Sequence, residues 1–466
     1  MTLMELNNKR VLVVGLGKSG VASALFLKAH GARVTVSDNK SGDELRNEIP
    51  ALLDHGITVE TGGHGERTFR EQDLIVVSPG VPVDAPMLQQ ARSLGEMVIG
   101  EIELAAQFLR GPIVAITGSN GKTTTTALTG EIMTAGGLPT LVGGNIGTPA
   151  ISLVERDKPE TVIVLEVSSF QLETIQTFHP KIAVVLNVTP DHLDRHRTFE
   201  AYRDAKARMF ENQRGDDFAV LNADDPTCVA MAARTGAQVF WFSRQKEVEQ
   251  GAWERDGKVL FRDGERQREI MLGSEIPLKG AHNLENVLAA VCAGALMGCA
   301  PEKIRQAVRE FKAVEHRLEF VATIRGVDYY NDSKATNVDA TIKALESFPA
   351  NIHLILGGKD KGSDYSVLND LLRQRVKRVY TIGAAAEKIE SQIVSSKSGE
   401  IEVVHAQTLE NALRKANSVA EAGDVVLLAP ACASFDQFKS YEHRGKVFKE
   451  IVRGLATKEE DSLKAR

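Results

Sequence analysis

Twice in this chain an apolar run ends in a glycine-rich turn and passes into a helix-like stretch. The first is VLVVGLGKSGVASALFLKAHGARVTVSD, residues 11–38, and the second is PIVAITGSNGKTTTTALTGEIMTAGG, residues 112–137. A buried strand that turns on glycine into a helix confines the chain to layered α/β folds, because the helix must pack back on the sheet. It also makes a particular kind of site. The first N–H groups of a helix have no partner within it, and the helix dipole adds positive character there, so such a turn receives anions.

The rest of the chain repeats the alternation. DLIVVSPG and MVIG continue the first series; TVIVLEVSS, IAVVLNVT and FAVLNADD continue the second. Residues 252–276 read as antiparallel hairpins, because polar turns separate short strands, and a helix is predicted from about Leu284 to Met297. A third series runs through RLEFVATIRGVDYYND, IHLILGG, RVYTIG, IEVVHA and VVLLAPA. The expectation is three α/β domains with mostly parallel sheets: a Rossmann-like domain over 1–102, a P-loop ATPase-type domain over 103–313 and a second Rossmann-like domain over 314–466. The charged end KEEDSLKAR is expected to fray.

Length and charge narrow the function. The 466 residues carry a net charge of −6 with no basic tail, which argues against nucleic acid as a partner. Four cysteines stand at Cys228, Cys292, Cys299 and Cys432, with no C-x-x-C pair to suggest zinc or a disulfide framework. The N-terminus passes straight into a strand, and the most apolar stretch, NLENVLAAVCAGALMGCA, is too short to span a bilayer. The reading is a cytoplasmic enzyme of small anionic molecules, without a membrane partner.

In the first turn Gly15, Gly17 and Gly20 fit G-x-G-x-x-G, and Asp38 closes the following strand. That pattern alone leaves three readings open: a nicotinamide dinucleotide, another nucleotide, or a turn with no ligand. Ser78 and Gly80, in VSPGVP at another strand end, could line the same crevice. The second turn is more specific. Gly121, Lys122 and Thr123 hold the places of a P-loop, with Lys122 for the terminal phosphates and the Thr123 hydroxyl for Mg²⁺. The early glycine of the usual signature is absent, since Ile116 stands there and Gly118 comes two residues later. Glu166 ends a neighbouring strand, where a carboxylate can hold Mg²⁺. His192 and Asp194 lie just beyond the next strand, and Lys206 shares a helix face with Tyr202 in YRDAK.

The shortened turn Gly118-x-x-Gly121-Lys122-Thr123-Thr124 resembles the ATP loop of the Mur ligase and folylpolyglutamate synthase superfamily. Further stretches resemble it in the same order. LGG precedes a lysine, and KGAHNLENVLAA, EHRLEF, NDSKATN and ACASFDQF follow the family's pattern. The last two point to its D-glutamate-adding branch. The resemblance implies an ATP-dependent amide ligase that works through an acyl phosphate, with two Mg²⁺ ions and no nicotinamide. ATP would meet Gly118, Ser119, Asn120, Gly121, Lys122, Thr123, Thr124, Asn283, Asn286, Arg317 and Asp332. The metal would meet Thr123, Glu166, His192 and Lys206, the last as a carbamate formed with CO₂. A UDP-linked L-alanyl muramic acid would meet Gly15, Gly17, Lys18, Ser19, Asp38, Ser78, Gly80, Asn145 and Ser168. D-glutamate would meet Lys334, Thr336, Ser434, Phe435, Tyr441 and Lys361, with Lys359 as the alternative to Lys361. The three domains would then serve UDP-substrate, ATP and amino acid in turn, in a monomer.

Overall fold

The computed structural model describes residues 4–70, 72–278, 280–312, 314–393 and 401–464. Its strands fall into three sheets. The first holds β1 (Arg10–Val14), β2 (Arg33–Asp38), β3 (Thr58–Thr61), β4 (Leu74–Val77) and β5 (Val98–Gly100), all parallel, in the order β3-β2-β1-β4-β5. The second holds β6 (Ile113–Thr117), β7 (Thr140–Gly144), β8 (Val162–Glu166), β9 (Ile182–Val185), β10 (Phe218–Asn222), β11 (Gln238–Ser243), β12 (Gly251–Arg255), β13 (Lys258–Asp263) and β14 (Arg266–Leu272). Their order is β14-β13-β12-β11-β10-β9-β6-β8-β7, and β12 to β14 are antiparallel neighbours, as the polar turns predict. The third holds β15 (Glu319–Ile324), β16 (Val327–Asn331), β17 (Ile352–Gly357), β18 (Val376–Ile382), β19 (Glu402–Gln407) and β20 (Val425–Leu428). It runs β15-β16-β20-β17-β18-β19, with only β15 and β16 antiparallel to each other.

The central strands explain themselves. β6 (IVAIT), β8 (VIVLE) and β17 (IHLILG) are buried at every residue, as strands covered by helices on both faces must be. Each fully buried Ile, Val or Leu contributes roughly 1.5–3 kcal/mol by leaving water. The strands the apolar runs do not announce are β3, β7 and β11. β3 and β7 are edge strands with mixed burial, so neither shows a continuous apolar run.

Two compact units emerge. One runs to Glu275 and includes Glu285–Glu310, so it holds the first two sheets; the other comprises Ile276–Leu284 with the chain from Phe311 onward, and holds the third. All four cysteines are buried and unpaired. Two expectations need correction. The helix predicted from Leu284 begins at Ala281 and ends at Leu296. The charged end does not fray over its described length, because the helix from Tyr441 continues to Lys464; residues 465–466 lie outside the described residues. Among the described residues no helix is long and apolar enough to cross a membrane.

Candidate active site

The second glycine turn lies at the C-terminal end of β6, between β8 and β9, with the helix Lys122–Ala135 starting from it. Gly121 caps that helix at φ 86, and a Cβ there would sit 2.2 Å from Asn286 Oδ1. Only glycine fits both the left-handed backbone and the close approach of that amide. The turn is braced from the loop after β9: Asn120 N–H donates to Asn187 Oδ1 at 2.9 Å, and Asn187 Nδ2 returns a bond to Asn120 O at 3.1 Å. Ser119 Oγ donates to Thr189 O at 2.9 Å and lies 3.0 Å from the Tyr202 hydroxyl. Thr124 is buried, and its hydroxyl has no hydrogen-bond partner.

Two lysines converge on this turn. Lys122 Nζ donates to Gly118 O at 2.8 Å and to Ser119 O at 2.9 Å. Lys206 comes from the helix Phe199–Ala207 and donates to the same Gly118 O at 2.8 Å, with Thr117 Oγ1 at 3.4 Å. Its ammonium lies 4.5 Å from the centre of the Tyr202 ring. Lys206 is 1% exposed, and burial, with the nearby Lys122 charge, pushes its pKa well below the ordinary lysine value. The plain expectation for a helix lysine, a solvated surface charge, does not hold here.

Glu166 ends β8 facing the start of the Lys122–Ala135 helix, and it is also 1% exposed. Thr123 Oγ1 donates to its Oε2 at 2.9 Å and Asn145 Nδ2 to its Oε1 at 3.0 Å. Asn145 therefore orients a carboxylate, a part the sequence did not suggest. Among the described residues no three His, Cys, Asp or Glu side chains gather as a metal cluster. The pair Thr123 and Glu166 still suits Mg²⁺, a hard ion that takes oxygen donors and fills most of its octahedron with water and phosphate. His192, at φ 53 on the loop after β9, packs its ring edge-on against Phe170, with centroids 4.9 Å apart. Ser168 caps the short turn Ser169–Leu172 through a reciprocal box with Gln171.

The first glycine turn is built differently. Gly17 caps the helix Lys18–Ala29, and a Cβ on Gly20 would lie 1.9 Å from Gly15 O, so position 20 tolerates no side chain. Asp38 ends β2 and takes the Leu16 N–H at 2.7 Å and the Lys40 N–H at 2.8 Å. Ser78, after β4, donates to Gly15 O at 2.7 Å. Lys18 and Gly80 are exposed and Ser19 is half-buried. After β5, Glu101 is buried, with Oε1 taking the Ile151 N–H at 2.8 Å and Oε2 left without a hydrogen bond; burial pushes its pKa up to about 7.

The third sheet gathers the remaining residues. Asp332 follows β16 and is fully buried; desolvation pushes its carboxyl up to about 6 against the pull of Arg317. Asp332 Oδ1 and Arg317 Nε are both buried without hydrogen-bond partners. Lys334 Nζ lies 5.4 Å from the centre of the Tyr441 ring, and Thr336 N–H bonds Lys334 O at 2.8 Å. Ser434 is buried, Phe435 is 69% exposed, Lys361 is half-buried and Lys359 is exposed. Asn283 and Asn286 are both buried on their helix, and Asn286 Oδ1 takes the Thr125 hydroxyl at 3.3 Å. One residue the sequence reading passed over is Arg444. It is fully buried and donates to Ser333 O at 2.9 Å, Ser333 Oγ at 2.9 Å and Cys432 O at 3.1 Å. An arginine flanked by glycine in YEHRG was the available signal.

A P-loop of this shortened form, a strand-end glutamate bonded to its threonine, and a buried lysine on the same turn define a Mur-type ligase. The chain belongs to the Mur ligase family: its residues 9–100 match the Mur ligase MurD-like N-terminal domain, 116–294 the Mur ligase middle domain and 316–432 the Mur ligase glutamate ligase domain. Its relatives include the UDP-N-acetylmuramoylalanine–D-glutamate ligase of Koribacter versatilis, 67% identical over 98% of this chain and 100% of that one. Another is the protein of the same name from Acidobacterium capsulatum, 59% identical over 96% and 97%. Among solved structures, the MurF ligase of Thermotoga maritima in complex with ADP shares the fold, with a TM-score of 0.61 at 17% identity over 98% of this chain and all of that one.

Proposed function

We propose that the protein is an ATP-dependent ligase that joins D-glutamate to UDP-N-acetylmuramoyl-L-alanine in the synthesis of peptidoglycan precursors. The observation that carries this reading is full-length identity of 67% to a ligase of that name. The geometry of the Gly118–Thr123 turn supports the chemistry. The L-alanine carboxylate attacks the γ-phosphorus of ATP, ADP leaves, and an acyl phosphate forms. The neutral amine of D-glutamate then attacks the acyl carbon, and a tetrahedral intermediate expels phosphate. Lys122 and the N–H groups at the start of its helix offset the negative charge that would keep carboxylate and triphosphate apart. Mg²⁺, in a two-ion arrangement on Thr123, Glu166, His192 and Lys206, would supply further charge neutralisation.

Lys206 fits the part of a carbamate. Only an uncharged amine adds CO₂, and burial favours the uncharged form. Addition to the neutral amine releases one proton and leaves an anionic carbamate, whose oxygens are of the kind Mg²⁺ accepts. In the same reading 1–102 holds the UDP moiety through Gly15–Gly20 and Asp38, 103–313 holds ATP, and 314–466 holds D-glutamate through Lys334, Lys361 and Ser434. Amine and acyl phosphate must be brought to about 3–3.5 Å of each other and shielded from water. The enzyme acts as a cytoplasmic monomer. The test is ADP release with UDP-N-acetylmuramoyl-L-alanine and one amino acid at a time. Turnover is expected with D-glutamate and absent with L-glutamate and meso-diaminopimelate; equal rates with diaminopimelate would move the protein to a sister ligase.

A further inference from the structure

The loop that carries Lys361 and the loop that carries Ser434 are joined by side chains that the mechanism above does not use. Lys388, on the helix Ala386–Ile393, donates to Asp360 Oδ2 at 2.7 Å. Asp360 Oδ1 accepts the Tyr365 hydroxyl at 2.7 Å and the Ser363 N–H at 3.2 Å. Tyr365 is fully buried, and its oxygen lies 3.0 Å from Cys432 Sγ. The two loops also meet through their backbones, where Lys359 N–H bonds Ala433 O at 2.8 Å and Ala433 N–H bonds Lys359 O at 3.1 Å.

The direction of this chain follows from proton counting. Tyr365 has one hydroxyl proton and gives it to a carboxylate, so toward Cys432 its oxygen can only accept. Cys432 must then be the donor, and burial, which pushes its thiol up to about 11, keeps that S–H in place. The series runs Cys432 S–H to Tyr365 O–H to Asp360 carboxylate, with Lys388 balancing the charge. Its two ends border the amino-acid residues, since Asp360 precedes Lys361 and Cys432 stands two before Ser434. Phenylalanine would fill the volume of Tyr365 equally well, so packing alone does not account for a buried hydroxyl that needs two partners.

We propose that Tyr365 is a positioning residue for the incoming amino acid: without touching it, the hydroxyl fixes the spacing of Lys361 and Ser434. The inference rests on the reading of this region as the D-glutamate site. The test is steady-state kinetics of Tyr365→Phe, varying each substrate in turn, beside thermal melts. The KM for D-glutamate is expected to rise about 3- to 10-fold, the range a buried neutral hydrogen bond carries, with the KM for ATP and for the UDP-substrate within about twofold. Cys432→Ala is expected to raise the same KM by less, and Cys432→Ser, which keeps a donor, to leave it closer to the parent value. An unchanged D-glutamate KM in both Tyr365→Phe and Cys432→Ala would overturn the proposal. So would a parallel rise in all three KM values with a lower melting temperature, which marks a structural role alone. Failure of the parent enzyme to use D-glutamate would instead overturn the functional reading, and that result is available before any variant is made.

Discussion

The two glycine turns of the first unit share a plan and differ in their surroundings. Each joins a buried strand to a helix through glycine. Around the first, Lys18 and Lys40 are exposed, and the carboxylate of Asp38 is taken up by backbone N–H groups. Around the second, two lysines share one carbonyl, and a buried glutamate stands against the helix start. Charges out of water act several times more strongly than solvated ones. In the proposed function the contrast separates a turn that holds a molecule from one that reacts with it, and it teaches that the glycine pattern alone does not say which is which.

The sharpest way to break this contrast is Lys122→Ala. Ligation is expected to fall by on the order of 100- to 1,000-fold, as when a charge-stabilising donor is removed. Calorimetry should find UDP-substrate affinity unchanged within about twofold; loss of that affinity would merge two sites held here to be separate. Lys206→Ala comes next. Rates are expected to drop by on the order of 10- to 100-fold, as when a metal's supporting shell is damaged, with partial recovery in acetate at fixed ionic strength. Near-normal rates without acetate would remove the carbamate. The smallest effect belongs to the holding turn. Gly20→Ala drives a Cβ into Gly15 O, so about 1–3 kcal/mol of stability should be lost. UDP-substrate binding should weaken while ATP binding, read by titration, stays within about twofold.

Much of this was legible in the sequence where one segment settles its own structure. β1, β6 and β8 each carry a run of four apolar residues, and the Gly121-Lys122-Thr123 turn follows a strand as its motif demands. Two of the edge strands, β3 and β7, were not legible: their burial is mixed, and pairing with β2 and β8 makes them strands. The site was legible as a set of residue types and not as a set of contacts. Nothing in YRDAK says that Lys206 is buried, because that depends on Thr117 and Gly118, some ninety residues earlier, lying over it. Arg444 and Tyr365 were missed for the same reason. Each has a partner on a distant loop, Ser333 for Arg444 and Cys432 for Tyr365, and no spacing along the chain records a fold-wide hydrogen bond.

Glu101, buried at the start of the helix after β5, couples folding to proton uptake. Its carboxyl titrates near 4.5 in the unfolded chain and at about 7 in the folded one. A group whose folded value is raised lends stability that is complete below the unfolded value and fades as pH climbs through the folded one. From about pH 4.5 to 7 the native state therefore binds a proton the unfolded chain has released, and this residue makes the protein less stable as the medium becomes neutral. Glu101→Gln, fixed in the uncharged form, should flatten the dependence of melting temperature on pH across that window. The helix that follows β5 thus carries an acid-stabilised element, as Asp332 does after β16, whereas Asp424, paired with Lys377, loses support in acid.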